Sequence, residues 1–332
     1  MEKRLAGQIV TEYLEKFPTL NSHTLSRLIY KDNPEVWSDV GTVRSLIRYH
    51  RGASGDKNRK HLADERFVRE PGTYNYFNIP QSDEEEYKPF TLPKVNNNIL
   101  LMADLHIPYH SVDAINAAFS YGKRKKVNTI ILNGDIMDCY QLSDFEKDPR
   151  KRNFIEELDV TKEFLDTLQE EFPNCVIYYK EANHERRVQR YLKIKAPELY
   201  GIPEFNLDVL LGLGARGIHW LKDKQYLKAG KLSILHGDEI GRGVFSPVNF
   251  ARTLFTKTKT NAIANHSHTT SEHSENALDG DPIVCWSSGA LCGLHPQWNP
   301  INKWNHGAAH IRTNPDGTFK VFNFRIFNGK VL

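Results

Sequence analysis

Five apolar runs, each followed at once by a polar cluster, restrict the fold of this chain more than any other feature of the sequence. The runs cover residues 98–103, 127–132, 175–179, 232–235 and 261–264. The clusters that follow them are Asp104-Leu-His106, Gly134-Asp135-Ile-Met-Asp138, Asn183-His184-Glu185, His236-Gly-Asp238 and His266-Ser-His268. Parallel strands are buried on both faces and therefore appear as nearly unbroken apolar runs, and ligands gather outside their carboxyl ends. We expect all five clusters to lie on one edge of a sheet.

The chemistry of these clusters is that of a metal site. One aspartate and one histidine two residues apart are common in solvated loops, whereas five polar clusters after five strands favour a shared metal centre. Carboxylate, imidazole and carboxamide groups form a mixed nitrogen and oxygen ligand set, without the thiolates of a structural zinc site. Two divalent ions roughly 3.5–4 Å apart can hold the attacking and leaving oxygens of a phosphoryl group during its displacement.

The length of 332 residues predicts a core domain with an appended module. Residues 1–62 show three short helical patterns, the third over 38–49 with Ser38 as its N-cap, and predict a helix-turn-helix-like module. Residues 63–96 are polar and irregular and predict a linker with one short hairpin at 73–79. Residues 97–332 alternate between strand and helix patterns, which is typical of a layered α/β domain.

The helical patterns of this α/β domain cover residues 112–126, 154–172, 185–196 and 247–258. Three short strand patterns follow the last polar cluster, at residues 283–287, 308–313 and 319–324. We expect these three strands to form a second, more antiparallel sheet.

The whole chain has a formal net charge of only +3, so any affinity for nucleic acid must come from local clustering of cations. Six basic residues lie in the third helical pattern and in the loop after it: Arg44, Arg48, Arg51, Lys57, Arg59 and Lys60. Such a cluster can contact the phosphates of DNA or RNA. It is equally typical of a solvated basic face on a helical cap or a protein-docking element, and both interpretations stay open.

The four cysteines, Cys139, Cys175, Cys285 and Cys292, show no C-x-x-C spacing, which favours free thiols in a reducing compartment. No stretch of the sequence approaches the roughly 18 apolar residues of a membrane span. We therefore expect a soluble, cytoplasmic protein that has no membrane partner.

The ordered set of five clusters resembles the five blocks of the calcineurin-like metallophosphoesterase superfamily, over about residues 98–330. The resemblance implies a four-layer α/β/β/α architecture, in which two mixed sheets form a sandwich flanked by helices. It implies one metal ion on Asp104, His106 and His268, a second on Asn183, His236 and His266, and Asp135 as the bridge between them. It also implies that His184 faces the substrate and is oriented by Asp138. We expect Mn²⁺, with Zn²⁺, Fe²⁺ or Ni²⁺ as alternatives.

The residues support this ligand set on physical grounds as well. Side chains two residues apart on extended backbone project to the same side. We expect this of Asp104 and His106 and of His266 and His268. A water or hydroxide between two cations has a strongly lowered pKa and can act as nucleophile near neutral pH. Two departures from the usual pattern concern the backbone: Ala182 and Asn265 stand where the family commonly has glycine.

Phosphoprotein phosphatases of this superfamily carry an arginine after the second block and another shortly before the third. This chain has Cys139 at the first place and Glu181 with Ala182 at the second. Guanidinium groups are the usual means of holding a dianionic monoester, so their absence favours a phosphodiester substrate. We predict a phosphodiesterase or nuclease acting on nucleic acid or nucleotides. A phosphomonoesterase for a protein or nucleic-acid end is one alternative, and an inert nucleic-acid-binding protein is another.

Overall fold

The computed structural model describes residues 2–18, 20–52, 80, 88–146, 148, 150, 153–222, 224–241 and 248–332. The predicted hairpin at 73–79 and the basic residues Lys57, Arg59 and Lys60 lie outside the described residues. The chain divides into two compact units, residues 1–85 and residues 86–332. The predicted domain limits of 1–62, 63–96 and 97–332 stay a prediction.

The first unit contains three helices within its described residues: α1 (Glu2–Lys16), α2 (Ser22–Asp32) and α3 (Val40–His50). Apolar side chains at helical spacing form its core: Val10, Leu14, Leu25, Ile29, Trp37, Val43 and Ile47. The N-cap of α3 is Asp39, whose carboxylate accepts the N–H of Thr42 at 3.0 Å. The prediction of Ser38 as the N-cap was wrong, because the acceptor one residue later reaches the open N–H groups of the first turn.

The three arginines predicted to contact nucleic acid, Arg44, Arg48 and Arg51, differ in exposure. Arg51 is only 5% exposed, and its guanidinium donates to the carbonyl of Leu20 at 2.6 Å and to Oγ of Ser22 at 3.0 Å. These bonds tie the end of α3 to the start of α2, which favours a structural role for Arg51 over the predicted phosphate contact. Arg48 is exposed and Arg44 is half-buried, and their contact with nucleic acid stays a prediction.

Strands and helices alternate in the second unit, as predicted for an α/β domain. The strands described are β1 (Phe90–Thr91), β2 (Asn98–Met102), β3 (Thr129–Leu132), β4 (Val176–Lys180), β5 (His219–Leu221), β6 (Leu227–Ala229), β7 (Leu232–Ile234), β8 (Ala262–Ala264), β9 (Ser271–Asn276), β10 (Pro282–Ser287), β11 (His306–Thr313), β12 (Phe319–Phe327) and β13 (Lys330–Val331). The helices described are α4 (Val112–Lys125), α5 (Phe154–Glu171), α6 (Arg186–Lys195), α7 (Leu207–Leu210) and α8 (Phe250–Thr258).

Within the described residues the strands form two sheets. One has seven strands in the order β13-β12-β11-β2-β3-β4-β5, and the other has six in the order β1-β6-β7-β8-β10-β9. Strands β2 to β5 are parallel, and so are β7, β8 and β10. Side chains from both sheets share one buried cluster, which includes Ile99 and Ile131 from the first sheet and Ile234 and Ile263 from the second. The two sheets therefore pack face to face.

Helices cover the outer faces of this sandwich. Leu100 and Met102 point away from the second sheet and join a core with Ala118 of α4 and Leu165 of α5. On the other side, Leu254 of α8 packs into a cluster with residues of β8 and β10. The order of layers is thus helix, sheet, sheet, helix, and the predicted four-layer α/β/β/α fold is confirmed. Adjacent side chains of a buried strand face opposite layers, which explains why both must be apolar.

Two expectations about strand pairing were wrong. The five strands that carry the polar clusters do not share one sheet, because β2, β3 and β4 belong to the seven-stranded sheet and β7 and β8 to the six-stranded one. The late strands form no separate sheet: β10 pairs in parallel with β8, and β11 pairs antiparallel with β2. An apolar run shows that a strand is buried, but it does not encode which strand lies beside it.

None of the helices in the described residues is long and apolar enough to cross a membrane. All four cysteines are free, as predicted. Three of them are buried, so their thiols belong to the packed interior of the second unit.

Candidate metal centre

The carboxyl ends of five strands meet at one end of the sandwich, and the predicted ligands converge there. Asp104 and His106 follow β2, Asp135 follows β3, Asn183 follows β4, His236 follows β7, and His266 and His268 follow β8. Since the strands come from two facing sheets, the ligands approach the same space from both sides. The structure thus brings together side chains that are far apart in the sequence.

The ligands predicted for the first ion lie close together and are buried. Nε2 of His106 and Nε2 of His268 are 3.2 Å apart, and Oδ1 of Asp104 is 3.5 Å from Nε2 of His268. Oδ2 of Asp135 is 4.0 Å from Nε2 of His106, so the predicted bridging carboxylate borders this group.

Two of the three ligands predicted for the second ion, His236 and His266, border Asp135. Oδ2 of Asp135 is 3.3 Å from Nε2 of His236. A carboxylate oxygen of Asp135 and ring nitrogens of His236 and His266 all lie within 4.8 Å of one another. Oδ1 of Asn183 is buried. Oδ1 of Asp104 is 3.9 Å from Nε2 of His236, so this carboxylate lies near both predicted ligand groups.

Three predicted ligand atoms are buried and lack a hydrogen-bond partner: Oδ1 of Asp104, Oδ1 of Asn183 and Nε2 of His236. Buried polar atoms are normally satisfied, so a cluster of unpaired polar atoms around two carboxylates fits a bound cation. Burial alone would lower the pKa of His236, but the charges of Asp135 and Asp104 outweigh it and raise that pKa to about 10. The carboxylates thus attract positive charge, and the donor set fits divalent ions that accept nitrogen and oxygen ligands.

Five of the predicted ligands have left-handed backbone. The angle φ is 51° at the predicted bridge Asp135. In the two ligand pairs it is 53° at Asp104 and 49° at His106, and 63° at His266 and 56° at His268. The expectation that these pairs lie on extended backbone was wrong, because β2 and β8 end two residues before Asp104 and His266. Residues other than glycine are strained in the left-handed region by on the order of 1–3 kcal/mol each, and such strain concentrates at functional sites.

Two contacts show how the structure accommodates Ala182 and Asn265, which stand where the family commonly has glycine. A Cβ at Gly134 would lie 2.3 Å from the Cβ of Ala182 and 2.8 Å from Nδ1 of His236. The methyl group of Ala182 therefore fits because residue 134 has no side chain. Oδ1 of Asn265 accepts from Nδ2 of Asn133 at 2.8 Å, and this bond joins the two sheets directly behind the ligands.

Asp138 lies between two imidazoles. Its Oδ1 is 3.0 Å from Nδ1 of His106 and 3.0 Å from Nδ1 of His184. Burial raises the pKa of Asp138, but the hydrogen bonds to both histidines outweigh it and hold that pKa well below its usual value. Asp138 therefore orients a predicted ligand as well as His184, whereas the sequence analysis assigned it to His184 alone.

The environment of His184 agrees with a position beside the reacting group. Its Nε2 is 3.7 Å from Oδ2 of Asp135, and its Nδ1 lies 2.8 Å from the carbonyl oxygen of Asp138. Burial lowers the pKa of His184, but the charge of Asp135 and the bond to Asp138 outweigh it, so the pKa lies above its ordinary value.

Glu185 anchors two of the ligand loops, a role that sequence reasoning missed. Its carboxylate is fully buried and accepts the N–H groups of Asp135 at 3.0 Å, Ile136 at 2.8 Å and Ala182 at 3.0 Å. The hydroxyl of Tyr179 donates to it as well, at 3.1 Å. Burial and the charge of Asp135 raise the pKa of Glu185. The sequence signal for this role was the position of Glu185 directly after His184.

A buried ion pair supports His236, and it too was not anticipated. Nζ of Lys180 lies 2.7 Å from Oε1 of Glu239, and the lysine is fully buried. Glu239 also accepts the N–H groups of His236 at 3.1 Å and Gly237 at 2.7 Å. Burial raises the pKa of Glu239, but Lys180 outweighs it and lowers that pKa to about 2. The pair joins the end of β4 to the loop after β7.

Cys292 is a further donor at the site. Its Sγ and ring nitrogens of His106 and His268 lie within 4.8 Å of one another. The indole of Trp304 covers His268, with ring centroids 4.2 Å apart. The sequence analysis assigned neither residue to the centre, because both lie far beyond the last polar cluster.

Two arginines at the start of α6 also reach the site. Arg187 donates from Nη1 to the carbonyl of Asp138 at 2.8 Å and from Nη2 to Nε2 of His184 at 3.1 Å. Arg186 forms an ion pair with Asp238. The sequence analysis looked for arginines only at the places where phosphatases of the superfamily carry them. The signal was the pair of arginines directly after the third cluster.

One of three comparisons with known proteins identifies the family of this chain. The family model described as calcineurin-like phosphoesterase matches residues 98–313. A comparison with curated proteins finds no match. Among solved structures, vacuolar protein sorting 29 from Cryptosporidium parvum is 13% identical and covers 71% of this chain and 94% of its own, with a TM-score of 0.38.

Two further solved structures are similarly distant. A dimetal phosphatase from Danio rerio is 12% identical, covers 71% of this chain and 98% of its own, and has a TM-score of 0.35. The phosphoesterase YfcE from E. coli is 11% identical, covers 68% of this chain and 98% of its own, and has a TM-score of 0.31. The assignment therefore rests on the family model, which matches well over half of the chain and spans every predicted ligand. The chain belongs to the calcineurin-like phosphoesterase family.

Proposed function

We propose that this protein is a dinuclear-metal phosphodiesterase or nuclease that acts on nucleic acid or nucleotides. The observation that carries the proposal is the convergence of nitrogen and oxygen donors from Asp104, His106, His236, His266 and His268 around Asp135, with His184 beside them. Donors held this closely by two facing sheets suit a phosphoryl group bound between two cations.

The first ion would be held by Asp104, His106 and His268, and the second by Asn183, His236 and His266, with Asp135 between them. Bound divalent ions would supply Lewis-acid activation of the phosphoryl oxygens and of the attacking water. We propose Mn²⁺ as the metal, because carboxylate and carboxamide oxygens make up part of the donor set, and Zn²⁺, Fe²⁺ or Ni²⁺ as alternatives.

The preference for a diester rests on charge. Among the described residues, Arg186 is paired with Asp238, whereas Arg187 forms no ion pair with a carboxylate. One guanidinium that forms no ion pair among the described residues suits the single negative charge of a diester better than the double charge of a monoester. The sequence analysis found no arginine at the two usual positions. Arg187 of α6 supplies a guanidinium from another position.

The first unit would bind the polynucleotide. Arg48 is exposed on α3, and cations on a short helix can contact phosphates without reading sequence. Such binding weakens as the salt concentration rises, because each phosphate contact releases a counterion.

A substrate panel in Mn²⁺ tests the proposal. We expect bis(4-nitrophenyl) phosphate to be turned over faster than 4-nitrophenyl phosphate, and DNA or RNA to be bound in a salt-dependent manner and cleaved. Monoester turnover far above diester turnover would instead identify a phosphomonoesterase. Full metal occupancy without turnover of any substrate would identify an inert protein, and either result overturns the proposal.

Replacing His184 by alanine is expected to lower diester turnover by roughly 10²- to 10⁴-fold, the range of general acid catalysis. Asp138 holds Nδ1 of His184, so Nε2 is the atom that faces the leaving oxygen. Nε2 accepts an N–H of Arg187 at 3.1 Å, and it would pass a proton to the leaving oxygen once that bond is exchanged for one to the substrate. The metal content, measured by mass spectrometry of the purified protein, should stay at the wild-type value. His219→Ala, at an exposed histidine of β5, is the matched control and should leave turnover unchanged. A His184→Ala variant that loses both metal ions would contradict this role.

A further inference from the structure

Arg187 lies against Nε2 of His184, the nitrogen that points towards Asp135. Its Nη2 donates to Nε2 of His184 at 3.1 Å, and its Nη1 donates to the carbonyl of Asp138 at 2.8 Å. A guanidinium has five N–H groups and no acceptor. The two bonds among the described residues therefore leave three donors of Arg187 without a protein partner there. Nη2 of Arg187 thus lies beside the His184 nitrogen that is also 3.7 Å from Oδ2 of Asp135.

The position of this arginine in α6 opposes local helix preferences. Arg186 and Arg187 stand in the first turn, which contains no acidic residue. The N-terminal end of a helix carries partial positive charge, so a cation there is disfavoured by about 0.3–1 kcal/mol. Asp238 compensates Arg186. Arg187 forms no ion pair with a carboxylate among the described residues, although the charge of Glu157 attracts it. A cation without an ion pair at the start of a helix is expected at a functional position, where an anion arrives from outside.

We propose that Arg187 is a substrate-binding residue whose guanidinium binds a non-bridging oxygen of the phosphoryl group beside the ring of His184. This inference rests on the proposed phosphoesterase function. Arginine matches the paired oxygens of phosphate through parallel N–H donors, which lysine does not reproduce. The guanidinium supplied by α6 thus takes over the role that phosphatases of the superfamily give to arginines on other elements.

The test compares Arg187→Met and Arg187→Lys with the wild type, each loaded with Mn²⁺. The matched control is Arg190→Met, one turn further along α6, where the exposed arginine pairs with Asp144. We expect Arg187→Met to lower kcat/KM for bis(4-nitrophenyl) phosphate by roughly 10²-fold, as for loss of one preorganised donor. The affinity for inorganic phosphate, measured by calorimetry, should fall by about tenfold or more in the same variant.

Other readouts separate binding from a merely structural role. Metal content and Tm of Arg187→Met should match the wild type, and added guanidinium ion at millimolar concentration should restore part of its turnover. Arg187→Lys should recover phosphate affinity better than turnover, because it keeps the charge and loses the planar donors. Arg190→Met should behave as the wild type in every assay.

The inference is overturned if Arg187→Met binds inorganic phosphate as tightly as the wild type. It is also overturned if the variant loses metal or Tm in proportion to activity, which would show that Arg187 only supports the fold. Absence of turnover in the wild type would count against the proposed function instead. The phosphate titration still decides the role of Arg187 in that case, since it does not depend on turnover.

Discussion

Replacing Asp135 by asparagine is expected to reduce the binding of both divalent ions and to lower diester turnover by more than the roughly 10²–10³-fold that loss of one preorganised group costs. The Oδ2 atom of Asp135 lies 4.0 Å from Nε2 of His106 and 3.3 Å from Nε2 of His236, so one carboxylate borders both ligand groups. An amide keeps the shape but removes the charge and one acceptor oxygen. Neither predicted ion would then keep its full set of ligands.

Two measurements check this prediction. Mass spectrometry should count two metal ions per chain in the wild type and fewer in Asp135→Asn. Added Mn²⁺ should raise the Tm of the wild type, because an ion at 100 times its Kd stabilises the folded state by about 2.7 kcal/mol, and this rise should shrink in the variant. Asp159→Asn, at an exposed carboxylate of α5, should resemble the wild type. Two ions retained in Asp135→Asn would refute its role as the bridge.

Replacing Glu185 by alanine should lower the free energy of unfolding by about 4 kcal/mol or more. Four backbone N–H groups, those of Asp135, Ile136, Met137 and Ala182, and the hydroxyl of Tyr179 donate to this buried carboxylate. Each buried donor left without a partner costs about 1–3 kcal/mol, and losses above about 4 kcal/mol are rare for a single substitution. The loops that carry Asp135 and Asn183 would lose their common anchor, so metal affinity should fall with stability.

Urea unfolding followed by circular dichroism measures this loss, and Glu170→Ala is its control. Glu170 is an exposed residue of α5, where substitution should change the free energy of unfolding by less than about 0.5 kcal/mol. If Glu185→Ala unfolds at the same urea concentration as the control, the carboxylate does not anchor the two loops.

The strands could be predicted because a buried strand appears in the sequence as an apolar run. The runs predicted at 98–103 and 175–179 correspond to Asn98–Met102 and Val176–Lys180 in the structure. Since each ligand follows its strand closely, the strand ends also located Asp104, Asp135 and His236. The layer order came from the resemblance of the whole set rather than from any one run.

The supporting residues could not be predicted in the same way. Lys180 reads as the charged end of a strand, yet it is fully buried because Glu239 meets it from the other sheet. Arg187 reads as a solvated helix residue, yet it lies against His184. Both roles depend on partners that no local pattern identifies.

By itself, the sequence determined the class of fold, the five strand ends and the nitrogen and oxygen donors that they carry. It could do so because burial and side-chain chemistry are local properties that each segment records. Only the tertiary structure decided that the strands divide between two sheets, that the ligand pairs adopt left-handed backbone, and that α6 brings Arg187 to His184. These depend on strand pairing and helix packing, whose energies arise between segments far apart in the chain.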